Sequence, residues 1–310
     1  MSKLAISPHI HCGQSTAGIM LDVLIALLPA SIAGVIIFGL RSLWVILTCV
    51  VACVAFEALF CLITKKPQTV KDLSAAVTGL LLALNLPANI PLWQCVVGSL
   101  FAIIVVKSLF GGLGRNVVNP AIAARVFMLV AFTSVTQAAF PINVDAVAGA
   151  TPLADVIPKP AMPGLLTLAT GYYGGAIGET CSFALLVGGI YLLIRRVITW
   201  HNPVAFMSTV FVFSLFMEGF DPVKALSMVL CGGVVIGAIF MATDYTTSPP
   251  TPWGKVIFGI GCGLMTCLIR YFGSYPEGVS FAILFMNILT PYISKWTRHK
   301  VFGVGGGNRA

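Results

Sequence analysis

The stretch Gly79-Leu-Leu-Leu-Ala-Leu-Asn-Leu-Pro87 is an apolar run that ends abruptly in an amide and a proline. A second stretch, Gly237-Ala-Ile-Phe-Met-Ala-Thr-Asp-Tyr245, also ends in polar side chains, and a tryptophan follows each stretch, at Trp93 and Trp253. Backbone that stops being helical at membrane depth survives only where it is buried in protein or lines a cavity. The two stretches therefore predict a membrane protein with two broken helices that meet at an interior site.

The composition of the whole chain points to the same class. Of 310 residues, 58% are hydrophobic and 9% are charged, whereas an ordinary soluble domain is roughly 25% charged. The net charge of +8 comes from Lys and Arg scattered between apolar runs, which is typical of a membrane protein and indicates no nucleic-acid partner. The nine Cys form no C-x-x-C pair, and we predict neither a disulfide framework nor a metal site.

Ten apolar runs are candidates for membrane-spanning helices, each of which needs about 20 residues to cross a bilayer. The third and the eighth are short or interrupted. The runs lie near Met20–Leu40, Leu43–Ile63, Leu73–Leu86, Leu92–Phe110, Pro120–Val135, Glu179–Ile194, Thr199–Phe216, Lys224–Met241, Trp253–Tyr271 and Val279–Trp296.

The two halves of the chain resemble each other weakly. Phe110-Gly-Gly before the fifth run resembles Phe272-Gly-Ser before the tenth. Because each half has five spans, the second copy must be inverted relative to the first. We therefore predict an all-α integral membrane protein with a single membrane domain over residues 1–310. Its parts are repeat one at about 20–135, an external loop at about 136–178, repeat two at about 179–296 and a cytoplasmic tail at 297–310.

The distribution of cations predicts the orientation in the membrane. Thirteen Lys and Arg flank the spans on the side of the N-terminus and four flank them on the other side. Cytoplasmic loops carry the excess of positive charge, so both termini are predicted to be cytoplasmic and the loop after the fifth run to be external. The first group is Lys3, Lys65, Lys66, Lys71, Lys107, Arg115, Arg195, Arg196, Lys255, Lys295, Arg298, Lys300 and Arg309, and the second is Arg41, Lys159, Lys224 and Arg270.

The external loop contains Asp145-Ala-Val-Ala-Gly-Ala-Thr151, where one hydroxyl stands among small residues that include Gly149 and Ala150. A modifying enzyme can reach such a threonine, and the site can hold a bulky phosphate ester. Asp and Thr in a turn more commonly bond only to the nearby backbone. The same loop is long for a segment without structure of its own, and its Gly171-Tyr-Tyr-Gly-Gly-Ala-Ile-Gly178 stretch is a candidate re-entrant element.

A second candidate site is Phe110-Gly-Gly-Leu-Gly-Arg-Asn-Val-Val-Asn-Pro-Ala121. Its glycines permit close backbone approach, and Asn116 and Asn119 offer polar groups that suit a planar heterocycle. Asn119 before Pro120 is also an ordinary helix start, so capping is the alternative interpretation. Asp244 is a further candidate because it stands in the second interrupted helix.

Other ionisable residues within the runs are functional candidates, since charges in hydrocarbon are costly and normally face the interior of a bundle. Asp22 and Glu57 suit paired groups or an ion pathway, and ordinary hydrogen bonding inside the bundle is the favoured interpretation. Arg125 lies inside the fifth run and needs a partner, which a carboxylate or a cofactor oxygen would supply. Asp72, Glu179 and Asp221 stand at run ends, where they favour helix N-termini.

Four motifs together resemble one known family. They are Ser7-Pro-His-Ile10, Gly112-x-Gly-x-Asn-x-x-Asn-Pro-Ala121, Asp145 with Gly149-Ala-Thr-Pro152, and Met241-Ala-Thr-Asp244. The chain resembles the family that contains the D subunit of the Rnf complex and its homologue, the B subunit of the sodium-pumping NADH:quinone reductase. The latter has a longer N-terminal extension, so the Rnf protein is the closer match. Ala148 departs from related motifs, which often have a hydroxyl residue there.

The resemblance implies a membrane flavoprotein subunit of an ion-translocating complex that links ferredoxin and NAD in a bacterial inner membrane. FMN would be esterified to Thr151 by a separate flavin transferase. A non-covalent riboflavin would bind between helices, a site that we carry to Asn116, Asn119 and Asp244. The implied partners are other Rnf subunits, including a second covalent-FMN subunit and iron–sulfur membrane subunits, together with membrane lipid. Electron transfer coupled to Na⁺ or H⁺ transport is the expected activity, the protein supplying position and electrostatics while the flavins carry the redox chemistry.

Two other functions fit parts of the pattern. Inverted repeats and broken helices are equally typical of a secondary transporter of a small polar solute, and a structural scaffold subunit is a third interpretation. A transporter has no need of a modifiable threonine in an external loop, so Thr151 distinguishes these hypotheses.

Overall fold

The computed structural model describes residues 15–135, 139–141, 164–273 and 278–298, and helices dominate these ranges. Their only β-structure is an isolated bridge between Ala139 and Gly175, which confirms the predicted all-α class. The helices are α1 (Thr16–Phe38), α2 (Leu40–Ile63), α3 (Ser74–Leu84), α4 (Leu92–Leu100, continued as a π-helix over Phe101–Ser108), α5 (Pro120–Ala131), α6 (Leu165–Thr170), α7 (Ser182–Ile194), α8 (His201–Met217), α9 (Pro222–Leu230), α10 (Val234–Ile236, continued as a π-helix over Gly237–Met241), α11 (Pro252–Phe272) and α12 (Val279–Trp296).

Side-chain caps fix where several helices begin. Asn119, Asp221 and Thr251 each accept hydrogen bonds from backbone N–H groups in the first turn of α5, α9 and α11, and a proline follows each cap at the first helical position. Such caps satisfy N–H groups that have no partner inside the helix. Proline loses nothing there, because its missing N–H would be unpaired in any case.

Two polar interruptions divide the helices as the sequence predicts. The first break, residues 85–91, separates α3 from α4, and the second break, residues 242–251, separates α10 from α11. The eighth predicted run differs from a single helix, since α9 and α10 meet at a bend of 66°. Glycines at 232 and 233 supply this bend, and Gly232 has a positive φ of 68°.

Among the described helices, α1, α2 and α11 are individually long and apolar enough to cross a membrane, and the bent pair α9 and α10 forms a fourth span if counted together. Five shorter apolar helices of 10–17 residues are α3, α4 with its continuation, α5, α7 and α8. The number of ten spans and the boundaries of the inverted repeats therefore stay predictions.

The bundle packs with its polar side chains inside. Trp44 and Ile36 are exposed on the outer faces of α2 and α1, whereas Asp22 and Glu57 on the same helices are buried. This distribution suits lipid, which does not penalise exposed apolar surface. Close packing between α2 and α3 depends on Gly79, because a Cβ there would lie 2.8 Å from the Cys49 carbonyl oxygen.

The segment that leads into α7, residues 171–181, is called the connector here. Its stretch from Tyr173 to Thr180 is buried among the helices, and its role as a re-entrant element stays a prediction. Ile177 N–H donates to the Leu86 carbonyl at 3.0 Å, and Gly178 N–H donates to the Leu84 carbonyl at 2.7 Å. The connector thereby covers the first break and satisfies backbone carbonyls that the end of α3 leaves free.

Candidate functional site

Asn116, Asn119 and Asp244, which the sequence predicts to share one site, line a single cavity. It contains about 650 Å³ of space outside protein atoms, part of which is open to the surroundings. Its other polar lining comes from Ser74, Thr78, Lys107 and Thr246, and its apolar lining comes from Ile19, Met20, Val23, Val77, Leu81, Leu113, Pro120, Phe240 and the ring of Tyr245. An apolar enclosure with a few convergent polar groups is the usual form of a ligand site.

Both ends of the Asn119 amide form hydrogen bonds within the protein. Its Oδ1 accepts hydrogen bonds from the N–H groups of Ala121 at 3.0 Å and Ile122 at 3.5 Å, which caps α5. Its Nδ2 donates to the Met241 carbonyl at 3.4 Å. Asn119 therefore caps α5, as the capping interpretation predicts, and its contact with a ligand stays a prediction.

The side-chain oxygen of Asn116 differs from that of Asn119. Its Nδ2 donates to the Val118 carbonyl at 3.2 Å, while its buried Oδ1 has no hydrogen-bond partner among the described residues. A buried polar atom without a partner costs free energy comparable to a lost hydrogen bond, about 1–3 kcal/mol. Asn116 thus lines the cavity and carries a buried acceptor without a partner in the described part of the chain.

Asp244 lies in the second break with its carboxylate held by the residues that follow it. Its Oδ1 accepts from Thr246 N–H at 3.4 Å, and its Oδ2 accepts from the hydroxyls of Thr246 at 3.1 Å and Thr247 at 3.2 Å. No Lys or Arg of the described ranges forms an ion pair with it. The arrangement holds the carboxyl group of Asp244 in place on the cavity wall through one backbone N–H and two hydroxyls.

Polar side chains from other helices support the second break. Asn202 on α8 donates to the Ala242 carbonyl, and Thr290 on α12 donates to the Thr247 carbonyl at 2.8 Å. With its amide oriented to satisfy both neighbours, Asn287 bonds the Thr247 carbonyl and Asn119 N–H, each at 3.2 Å. These bonds satisfy the non-helical backbone, as a break inside a membrane requires. The sequence pattern does not single out these three residues, because their role depends on helix packing.

A buried ion pair forms another part of the wall, and the sequence pattern misses it as well. Lys107 Nζ lies 2.7 Å from both Glu57 Oε1 and Ser74 Oγ, and the Thr69 hydroxyl donates to the same Glu57 oxygen at 2.9 Å. The sequence indicates Lys107 only as a cation flanking the fourth run. Its position near the end of a π-helical segment is a signal that only the structure supplies, and such segments are frequent at functional sites.

Arg125, Glu179 and Asp22 have hydrogen-bond partners within the bundle. Arg125 Nη1 donates to Glu179 Oε1 at 2.8 Å and to Asn85 Oδ1 at 2.7 Å, so a carboxylate is one of the partners that this residue was predicted to need. Glu179, interpreted from the sequence as a helix-terminus residue, is thus one half of a buried ion pair. Asp22 bonds Tyr191 at 2.9 Å and Arg195 at 3.2 Å, in agreement with hydrogen bonding inside the bundle.

The predicted flavin-attachment residues Thr151, Asp145, Gly149 and Ala150 lie outside the described residues. Their assignment therefore stays a prediction from the sequence.

Comparison with known proteins identifies the family. Residues 3–303 match the family described as NQR2, RnfD, RnfE. The chain is 48% identical to the D subunit of the Na⁺-translocating ferredoxin:NAD⁺ oxidoreductase complex of Acetobacterium woodii, over 96% of this chain and 94% of that protein. It is 39% identical to the D subunit of the proton-translocating ferredoxin:NAD⁺ oxidoreductase complex of Clostridium ljungdahlii, over 97% and 96%.

A third relative is the D subunit of the ion-translocating oxidoreductase complex of Halorhodospira halophila, which is 34% identical over 98% of this chain and 96% of that protein. All three matches cover nearly the full length of both proteins, and the described helices are those of an apolar membrane bundle. The chain therefore belongs to the NQR2, RnfD and RnfE family of membrane proteins.

Proposed function

We propose that this chain is the membrane flavoprotein subunit of a ferredoxin:NAD⁺ oxidoreductase complex that couples electron transfer to the transport of Na⁺ or H⁺. The relatives at 48% and 39% identity carry that activity in their names, one with Na⁺ and one with protons. The observation that carries the proposal is the convergence of Asn116, Asn119 and Asp244 on one cavity. These residues come from distant parts of the chain, and the sequence predicts that they share one flavin site.

The cavity fits a flavin by its chemistry. Asn116 Oδ1 is a buried acceptor that lacks a partner in the described structure, and a flavin ring has an N–H group to donate. Apolar side chains of α1, including Ile19 and Val23, and of α3 offer contact to an aromatic ring. When bound, the flavin supplies one- and two-electron redox chemistry. Asn116 would orient the ring, Asn119 would hold the wall against the second break, and Asp244 would set the local charge.

A second flavin, FMN, is proposed at Thr151, attached through its phosphate by a flavin transferase, with Asp145, Gly149 and Ala150 forming the attachment segment. The proposed location is the inner membrane, with both termini cytoplasmic and the Thr151 loop external. The proposed partners are the other subunits of the complex, including one with its own covalent FMN and those with iron–sulfur centres. The cavity flavin and the loop flavin would then occupy different depths of the membrane.

Flavin analysis of the purified complex tests this function. The complex is denatured and washed, and the released flavin is identified by chromatography while the band of this subunit is viewed under ultraviolet light on a gel. We expect fluorescence of the band and released riboflavin in the wash. A band without fluorescence and a wash without flavin would contradict the proposal and favour a secondary transporter of a polar solute.

A further inference from the structure

Arg125 on α5 joins two other parts of the chain. Its Nη1 donates to Asn85 Oδ1 in the first break at 2.7 Å and to Glu179 Oε1 in the connector at 2.8 Å. The side chains of Arg125 and Glu179 are 4% and 2% exposed. A charge pair so deeply buried is not screened by solvent, and it binds strongly only while its geometry is kept.

The same pair reaches the second half of the molecule. Glu179 Oε1 packs against Gly233 at the bend between α9 and α10, where an added Cβ would lie 2.9 Å from that oxygen. Asn85 Nδ2 lies 3.7 Å from Met241 Sδ, at the end of the π-helix that follows this bend. Glu179 therefore contacts the start of α10, and Asn85, which is bonded to Arg125, contacts the end of the π-helix that continues α10.

The two breaks differ in what covers them. The second break borders the cavity through Asp244 and Thr246. The connector covers the first break with two backbone hydrogen bonds and the Arg125–Glu179 pair. Gly178 and Leu84 are in close contact, because a Cβ on Gly178 would lie 2.6 Å from Leu84 Cβ. The second break thus borders a cavity, whereas Asn85, Leu86 and Ala88 of the first break are buried.

We propose that the Arg125–Glu179 pair is a latch that holds the first break closed, and that its release opens this break while ions are translocated. The pair is suited to this role because packed interiors switch between discrete arrangements and do not deform gradually. Arg125 and Glu179 act here as positioning residues, through the backbone of the first break. The ion-transport part of this inference rests on the proposed function, whereas the closing of the break does not.

Accessibility of the first break tests the latch directly. Ala88 in this break is 5% exposed, and Ala88→Cys is reacted with a small impermeant maleimide in membranes accessible from both sides. The chain without this substitution gives the background from its own cysteines. The latch is removed in the double variant Arg125→Met with Glu179→Leu, which leaves no unpaired buried charge from this pair.

A gentler variant keeps both charges. Gly233 has an ordinary backbone conformation, with φ of −77°, so Gly233→Ala adds only a methyl group that pushes against Glu179. Gly164→Ala is the matched control, since an added Cβ there has nothing within 4 Å. We expect both latch variants to raise the labelling rate at least tenfold and Gly164→Ala to leave it unchanged. All these proteins carry Ala88→Cys. If Gly233→Ala is labelled at the same rate as the protein with the unaltered latch, the proposal is overturned, even if the double variant does not fold.

The second readout is the number of ions transported per electron pair in the whole complex, reconstituted in vesicles with ferredoxin and NAD⁺. We expect Gly233→Ala to keep at least half of the electron-transfer rate while this ratio falls at least twofold. Loss of both activities in the same proportion would overturn the role in transport. If the complex with the unaltered latch shows no electron-driven transport, the proposed function fails, and the labelling experiment still decides whether the latch exists.

Discussion

The side-chain amide of Asn119 donates a hydrogen bond to the backbone carbonyl of Met241 at 3.4 Å. The two residues come from different halves of the chain, at the start of α5 and at the end of the π-helix before the second break. This bond places the loop that contains Asn116 beside Asp244. The cavity therefore exists only because both halves are folded together, and each of its walls can be tested separately.

Asn116→Ala is expected to lower the extractable flavin of the purified complex at least fivefold. The substitution removes the hydrogen bond to the Val118 carbonyl and the buried acceptor that has no partner in the described protein, so the proposed flavin would lose one hydrogen bond. The measurement is released riboflavin per mole of complex, with Asp221→Ala as a control on an exposed cap of α9. Unchanged riboflavin in Asn116→Ala would contradict the proposed contact.

Asn119 is expected to behave differently, because its amide oxygen is a helix cap. Asn119→Ala should lower the stability of the protein by about 1 kcal/mol, the usual loss for a missing cap. Asn119→Ser keeps a capping oxygen and should restore most of this stability and of the flavin content. Thermal unfolding of the detergent-purified protein measures the first effect and flavin release the second. If Asn119→Ser keeps full stability yet binds no flavin, this residue contacts the ligand directly.

Thr151→Ala is expected to abolish the ultraviolet fluorescence of the denatured subunit while leaving its amount in the membrane unchanged. The hydroxyl is the only atom of this side chain able to form a phosphate ester. Mass spectrometry of the peptide containing Thr151, from cells with an active flavin transferase, measures the modification. An unmodified peptide from such cells would disprove the attachment, and Thr136→Ala serves as a control hydroxyl in the same loop.

The Lys107–Glu57 pair is expected to matter for stability mainly because removing one charge leaves the other buried without a partner. Lys107→Met alone should destabilise the protein by about 3–5 kcal/mol, because it leaves the Glu57 carboxylate buried without its cation. Adding Glu57→Leu should recover much of this loss. The amount of folded protein in membranes and its thermal unfolding measure both effects. Equal stability of the single and the double variant would show that Glu57 does not need this partner.

The orientation in the membrane is testable with a cysteine probe. Thirteen flanking cations on one side and four on the other predict cytoplasmic termini. Ala148→Cys should therefore react with an impermeant reagent in intact cells. Labelling that begins only after the cells are permeabilised, while a known external cysteine reacts normally, would reverse the topology.

The sequence determined the class of this protein and the main residues of its cavity. Apolar runs of this length and composition belong in a membrane, and polar interruptions such as those at Asn85 and Asp244 mark where backbone leaves the helix. Motifs near Asn116 and Asp244, together with the family that they resemble, were sufficient to place these residues in one site. The physical reason is that polar groups in a membrane bundle gather where they can satisfy one another.

Only the tertiary structure decided how these polar groups are paired. Nothing in the local sequence of Lys107 indicates that Glu57 is its partner, and nothing near Arg125 names Glu179. The number of hydrogen-bond donors and acceptors can be counted from the residue types. Which donor meets which acceptor depends on how each helix is rotated and on small differences in the distance between helices. For that reason the sequence could offer Asn119 as either a cap or a ligand contact, whereas its use as a cap and as a bond to Met241 required coordinates.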